Sequence, residues 1–260
     1  MTEITEAQES LAVIEQFRGQ DRMFSNFYDL HSKGKLGGFL ESLPDIKLLF
    51  QLNDRHFRCI DERTPGGLHA AGPLILMDEA KAIRMLRTAR AEGIYSHDLC
   101  GAAGLAFANV EEGKKNFFGN SDNYGMFYAK ELAKKAGIPY AGHLPAHPHF
   151  HVARMAVYDG SGNFDNSERK LKIAGLPPCF VISRRWHDAA DAKNELAIAA
   201  KIATGDHGYG RLIREKTPFL FLVVGMKNKD FSMHKLMDEA HDVAKEFGNK
   251  VIVDGFMAPV

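Results

Sequence analysis

Phe219-Leu220-Phe221-Leu222-Val223-Val224-Gly225 runs for seven residues without a charged or hydrogen-bonding side chain. Side chains alternate across a strand, so a strand with one wet face alternates polar with apolar residues. This one does not, and it needs cover on both faces, the condition of an inner strand in a parallel sheet. The flanks agree. A helical pattern over 232–247 follows, stopped by Gly248, and 250–254 reads as the next strand. The fold class expected is α/β: a central, mostly parallel β-sheet flanked by helices.

The same rhythm runs upstream. Residues 55–60 read as a strand, Thr64-Pro65-Gly66-Gly67 as a turn and Leu74-Ile75-Leu76-Met77 as a short buried strand. Asp78 caps a helix through Ala91, ended by Gly93, and Ile94-Tyr95-Ser96 is the strand behind it. Strand, helix, strand implies a parallel pair with a right-handed crossover. Helices over 122–136 and 188–203, and strands over 152–158 and 179–183, continue the series. Residues 3–17 form an amphipathic helix, and a second apolar-patterned stretch over 39–52 is broken by Pro44. No linker-like or low-complexity segment divides the chain. It reads as one domain over 1–260, with a helical arm over 1–50, a core over 51–165 and a C-terminal α/β elaboration over 166–260.

Charge narrows the partners. Lys plus Arg and Asp plus Glu number 33 each, which leaves no basic footprint for nucleic acid or an anionic membrane. No apolar run approaches the ~20 residues of a bilayer span. Met1-Thr2-Glu3-Ile4-Thr5-Glu6 lacks the basic and apolar regions of a signal peptide. Three cysteines are an odd count with no disulfide framework, so a reducing cytoplasm is the expected compartment.

Two of those cysteines stand in the stretches that carry chemistry. Cys59-Ile60-Asp61-Glu62-Arg63 and His97-Asp98-Leu99-Cys100-Gly101 together offer two thiols and an imidazole, the ligand types a zinc ion prefers. Three protein ligands leave a tetrahedral position free, the pattern of a catalytic site. Alternation puts Cys59, Asp61 and Arg63 on one face, and both stretches fall at carboxyl ends of expected strands, where α/β sheets carry their sites. Two other readings stand beside this one. The thiols could be merely buried, as free cysteines often are. Alternatively, Cys179 could close a structural site as a fourth ligand.

The constellation resembles the beta-class carbonic anhydrases, whose signature is Cys-x-Asp-x-Arg followed by His-x-x-Cys. The resemblance extends over about 50–165. His69-Ala70-Ala71-Gly72 stands where the family has an Arg-Asn-Ala-Gly loop, and Val157-Tyr158-Asp159-Gly160-Ser161-Gly162 is similar to its late Tyr-Asp-x-x-x-Gly strand end. The resemblance implies zinc held by Cys59, His97 and Cys100, and a lyase interconverting CO2 and bicarbonate through a zinc-bound hydroxide. Asp61 would then accept the proton of the bound water and aim it at CO2, with Arg63 holding Asp61 ionised. Without Arg63, Asp61 could take the fourth position itself. A surface ion pair beside a turn is the plainer account of those two residues. The resemblance also implies an N-terminal arm packed on a neighbouring subunit, hence a homodimer or higher homo-oligomer; the alternative is helices capping their own sheet. The interval between the two motifs is short and the middle loop lacks the Arg-Asn pair, so COS or CS2 hydrolysis, or a non-enzymatic zinc protein, remain the other functions.

His147, His149 and His151 alternate along an extended run and could bind metal or relay protons, as could His143; a polar loop leading into a strand is the other reading. Gly205-Asp206-His207-Gly208-Tyr209-Gly210 follows a helix instead of opening one after a strand, so it reads as a loop and not a phosphate cradle. Trp186 with Arg184 and Arg185 could line a cleft.

Overall fold

The computed structural model describes residues 6–145, 151–205 and 208–259. Its strands are all parallel but form two sheets where one was expected. In the first, β1 (His56–Arg58), β2 (Leu68–His69), β3 (Gly93–His97) and β4 (Tyr140–Leu144) lie in the order β2-β1-β3-β4. In the second, β5 (Met155–Asp159), β6 (Phe180–Ile182), β7 (Phe219–Gly225) and β8 (Val251–Met257) lie in the order β6-β5-β7-β8. The two orders are the same: each second strand lies outside the first, and the third and fourth lie on the other side. What 166–260 adds is therefore most of a second sheet with the topology of the first, and β5 belongs to it. The sheets meet where Val181 N, on the edge strand β6, donates to Ile60 O, two residues beyond β1, at 3.1 Å. Edge strands of two and three residues are too short to carry the ladder further.

The all-apolar stretch is β7, buried at every residue between β5 and β8. The helices are α1 (Glu6–Gly19), α2 (Asp21–Ser32), α3 (Leu36–Glu41), α4 (Glu79–Thr88), α5 (Gly101–Ala108), α6 (Glu112–Phe118), α7 (Ser121–Ala136), α8 (Glu168–Ala174), α9 (Ala189–Thr204) and α10 (Met233–Ala244). Side-chain oxygens start several of them. Asp78 accepts from Lys81 N, Asn120 from Asn123 N and Asp188 from Asp191 N, each satisfying an amide the helix leaves unpaired.

Residues 74–77 are a turn and not a strand. Leu74 sits at φ 69°, which ends any extended run, yet Leu74 and Ile75 are buried. The apolar run signalled burial, and periodicity alone does not distinguish a buried turn from a buried strand. Likewise α4 stops at Thr88, and Gly93 opens β3.

The N-terminal arm caps its own chain. Val13 and Phe17 of α1 and Phe24 and Phe27 of α2 are buried. Between them lies the Arg154 guanidinium, 3.8 Å from the Phe17 ring centre, 4.4 Å from that of Phe24 and paired with Asp21 at 2.7 Å. Arg154 directly precedes β5, so the buried side chains of the arm pack on the second sheet of their own chain, while Leu11 stays exposed. Among the described residues no helix is long and apolar enough to cross a membrane.

Candidate metal centre

The carboxyl ends of β1 and β3, adjacent strands of the first sheet, bring the two motifs together. Cys59 directly follows β1, His97 ends β3, and Cys100 caps α5. Between the last two, Leu99 adopts φ 55°, an unusual conformation for a residue with a Cβ. That left-handed residue turns the chain sharply enough for His97 and Cys100 to face the same point. The ligand atoms of Cys59, His97 and Cys100 lie within 4.8 Å of one another, and all three residues are buried. A tetrahedral ion about 2.3 Å from two sulfurs needs them roughly 3.8 Å apart, within that limit.

The imidazole shows why an ion fits. His97 Nδ1 lies 2.8 Å from Asp98 O and so carries the proton that the carbonyl accepts. This leaves Nε2 turned to the sulfurs, and among the described residues that buried atom has no hydrogen-bond partner. Buried polar atoms are rarely left so, and metal-bound histidines characteristically donate their other nitrogen to a carbonyl. The thiols agree. The Cys100 sulfur beside it and complete burial push the Cys59 thiol well up. Burial works against charge on His97, but the nearby Cys59 and Asp61 outweigh it and raise it to about 9. Two thiols and an imidazole in a dry site thus call for positive charge, which a dication supplies while removing the protons.

Amides converge on both sulfurs. Ala103 N in the first turn of α5 lies 3.5 Å from Cys100 Sγ, and Gly72 N lies 3.4 Å from Cys59 Sγ. The loop His69–Gly72 is therefore part of the site. His69 itself faces away from the sulfur, bridging Cys59 O at 2.6 Å and Asn166 Oδ1 at 3.0 Å.

Asp61 and Arg63 make a buried bidentate pair and not a surface one. Arg63 Nε donates to Asp61 Oδ1 at 2.9 Å and Nη2 to Oδ2 at 2.6 Å, with side chains only 5% and 2% exposed. Arg63 N adds a third bond to Oδ1, and Nη2 reaches Leu99 O at 3.3 Å. Burial opposes the Asp61 charge, but these bonds and the Arg63 cation hold its carboxyl well below the usual range. The conformation in which Arg63 occupies Asp61 is the one present.

Two further groups border this pair. The buried Glu62 carboxylate accepts from Val152 N at 2.7 Å and lies 3.1 Å from His151 Nδ1, while His151 Nε2 lies 3.4 Å from Arg63 Nη2. Burial disfavours charge on His151, yet Glu62 outweighs it and raises its pKa. Of the alternating histidines only His151 is therefore placed; His147 and His149 lie outside the described residues. A cavity of about 560 Å³ opens beside Glu62 and Arg63, where Val152, Leu171, Leu176 and Pro178 share the wall with Asn166, Glu168 and Lys172.

Other candidates stand apart. Cys179 does not belong to the ligand group and is wholly buried in the second half. His143 joins Ser96 Oγ at 2.7 Å to Asp98 Oδ1 at 2.6 Å, which ties β4 to β3. Trp186 stacks near the Arg55 guanidinium in a shallow groove with Arg185, away from the ligand group. Residues 208–211 form a 3-10 turn. At the matching strand ends of the second sheet, Asp159 is consumed by Ser161 and Phe164, and a Cβ at Gly160 would lie 2.5 Å from Leu236. Packing fills that place, and no ligand group occurs there among the described residues. Glu62, Asn166 and Glu195, which connect the halves around the site, carry no motif that marks them in sequence.

No family model, curated protein or solved structure matches the chain.

Proposed function

We propose that the protein binds zinc through Cys59, His97 and Cys100 and interconverts CO2 and bicarbonate in the manner of the beta-class carbonic anhydrases. One observation carries the reading. A buried imidazole nitrogen without a partner faces two thiols, next to a carboxylate that a guanidinium grips by two bonds. Zinc there would act as a Lewis acid, acidifying a bound water to give a nucleophile near neutral pH.

The chain's own residues do the rest. Asp61, ionised, accepts a hydrogen bond from the attacking water and orients its lone pair towards the carbon. Arg63 occupies both Asp61 oxygens, which keeps the carboxylate charged and out of the fourth coordination position. The cavity beside Arg63, of mixed apolar and charged wall, has room for a small molecule.

The test is stopped-flow CO2 hydration, with COS and CS2 hydrolysis alongside, for wild type, Asp61→Asn and Arg63→Ala at matched zinc content. We expect hydration that rises with pH, and a loss of about 10²–10³ in each variant with zinc retained, the usual cost of removing a positioned partner at the reacting centre. Turnover of COS or CS2 without CO2 would change the substrate. Zinc-loaded protein inert on all three would leave a non-enzymatic zinc protein.

A further inference from the structure

The loop that donates to Cys59 is held by its own backbone bonds, Ile75 N to Ala71 O at 3.2 Å and Ala70 N to Arg58 O at 3.1 Å, and also from outside. Gly72 has φ 63°, and a Cβ there would lie 2.5 Å from Ile75 Cγ2 and 2.8 Å from Ala102 Cβ. It is thus wedged against the first turn of α5, directly after Cys100. The preceding amide, Ala71 N, donates at 2.7 Å to Glu195 Oε1 on α9, a helix of the second half. Glu195 is buried, and its other oxygen lies 3.1 Å from His187 Nε2, off the line of a good hydrogen bond. Among the described residues neither of those two atoms has another partner, and His187 Nδ1 is anchored on Ser183 O at 2.8 Å. A buried carboxylate is costly unless paired. Here its pairing runs in one line from Ser183 through His187 and Glu195 to Ala71, and Gly72 next to it ends on the sulfur.

We propose that Glu195, held by His187, is a positioning residue for Cys59: it fixes the Ala71–Gly72 amides so that Gly72 N–H points at the sulfur and sets how strongly that sulfur binds a metal. The proposal rests on the metal reading above. An amide directed at a thiolate stabilises its charge, and groups that orient metal ligands commonly change affinity 10–100-fold when removed. It also gives the second half, whose own strand ends are filled by packing, a part in the first half's site.

The experiment uses the full chain and two readouts besides activity: zinc affinity by chelator competition, and the sulfur-to-cobalt charge-transfer absorption of the Co²⁺-loaded protein. Glu195→Ala should lose roughly 10–100-fold in zinc affinity and shift or weaken the charge-transfer band. Glu195→Gln, which keeps an oxygen for Ala71 N, should recover most of both. Glu195→Asp, one methylene shorter, should fall between, and carries the test should the alanine variant not fold. Unchanged affinity and spectrum in folded Glu195→Ala or Glu195→Asp, with wild type binding metal, would overturn the proposal alone. Wild type that takes up neither ion would overturn the metal reading and this proposal with it.

Discussion

Leu99 does at one residue what the spacing His-x-x-Cys leaves unspecified. Its left-handed backbone turns Cys100 back towards His97, and its carbonyl receives Arg63. A residue with a Cβ pays about 1–2 kcal/mol there. Because the side chain is half exposed, Leu99→Gly should leave the thermal midpoint unchanged or raise it. Leu99→Val, with its branched Cβ, should lower it by several degrees and weaken zinc binding. Equal melting curves for the two variants would mean the turn is not strained. At the ligands themselves, Cys59→Ser and Cys100→Ser should each emerge from elemental analysis with little zinc, whereas Asp61→Asn should retain it. Zinc at full occupancy in both serine variants would remove the metal site.

Among the elements, α10 is tied to the second sheet by more than its apolar face. Glu239 accepts from Arg184 Nε at 2.7 Å, from Arg184 Nη2 at 3.1 Å and from Tyr158 OH at 2.6 Å. Burial would raise the Glu239 pKa, but Arg184 and Tyr158 outweigh it and hold it below its ordinary value. A carboxylate depressed in the folded state stabilises fully above its unfolded pKa, about 4.3, and loses that contribution as pH falls through its folded value. Glu239→Ala should therefore cost roughly 2–3 kcal/mol at pH 7, somewhat below the range for breaking a fully buried pair. The gap between wild type and Glu239→Gln in urea midpoints should shrink as pH falls below about 4. A gap constant from pH 7 to pH 3 would show that the charge contributes nothing.

At the scale of the molecule, every residue of the candidate site comes from one chain, and its two halves share one core in which Cys59, Ala71 and Cys100 pack with Phe180, Leu196 and Ala199. Zinc content per chain should accordingly be independent of protein concentration across any oligomerisation that light scattering detects. Zinc lost on dilution to monomer would instead place a partner's residue in the site. Any homodimer must use surfaces other than the buried faces of α1 and α2. Deleting residues 1–32 should strip Arg154 of its aromatic cover and expose the face of the second sheet beneath, giving a chain that binds a hydrophobic dye and melts without cooperativity. A truncated chain with a wild-type melt would show the arm to be dispensable.

How much of this was legible in the sequence depended on the distance over which each feature is decided. The apolar run of β7, the cap Asp78, and the residue types and order of Cys59, Asp61, Arg63, His97 and Cys100 could all be read, because alternation, capping and ligand chemistry are properties of neighbouring residues. The same local signal misread residues 74–77, since apolar character reports burial and not backbone shape. Three features belonged to the tertiary structure alone. One is the division into two sheets of equal order, which meet where β6 donates a backbone bond to Ile60, just beyond β1. Another is the capture of the arm by its own chain around Arg154. The third is the support that Glu62, Asn166 and Glu195 bring to the site across 90 to 124 residues of sequence. Contacts at that separation are selected by how the packed halves meet, and no local pattern records them.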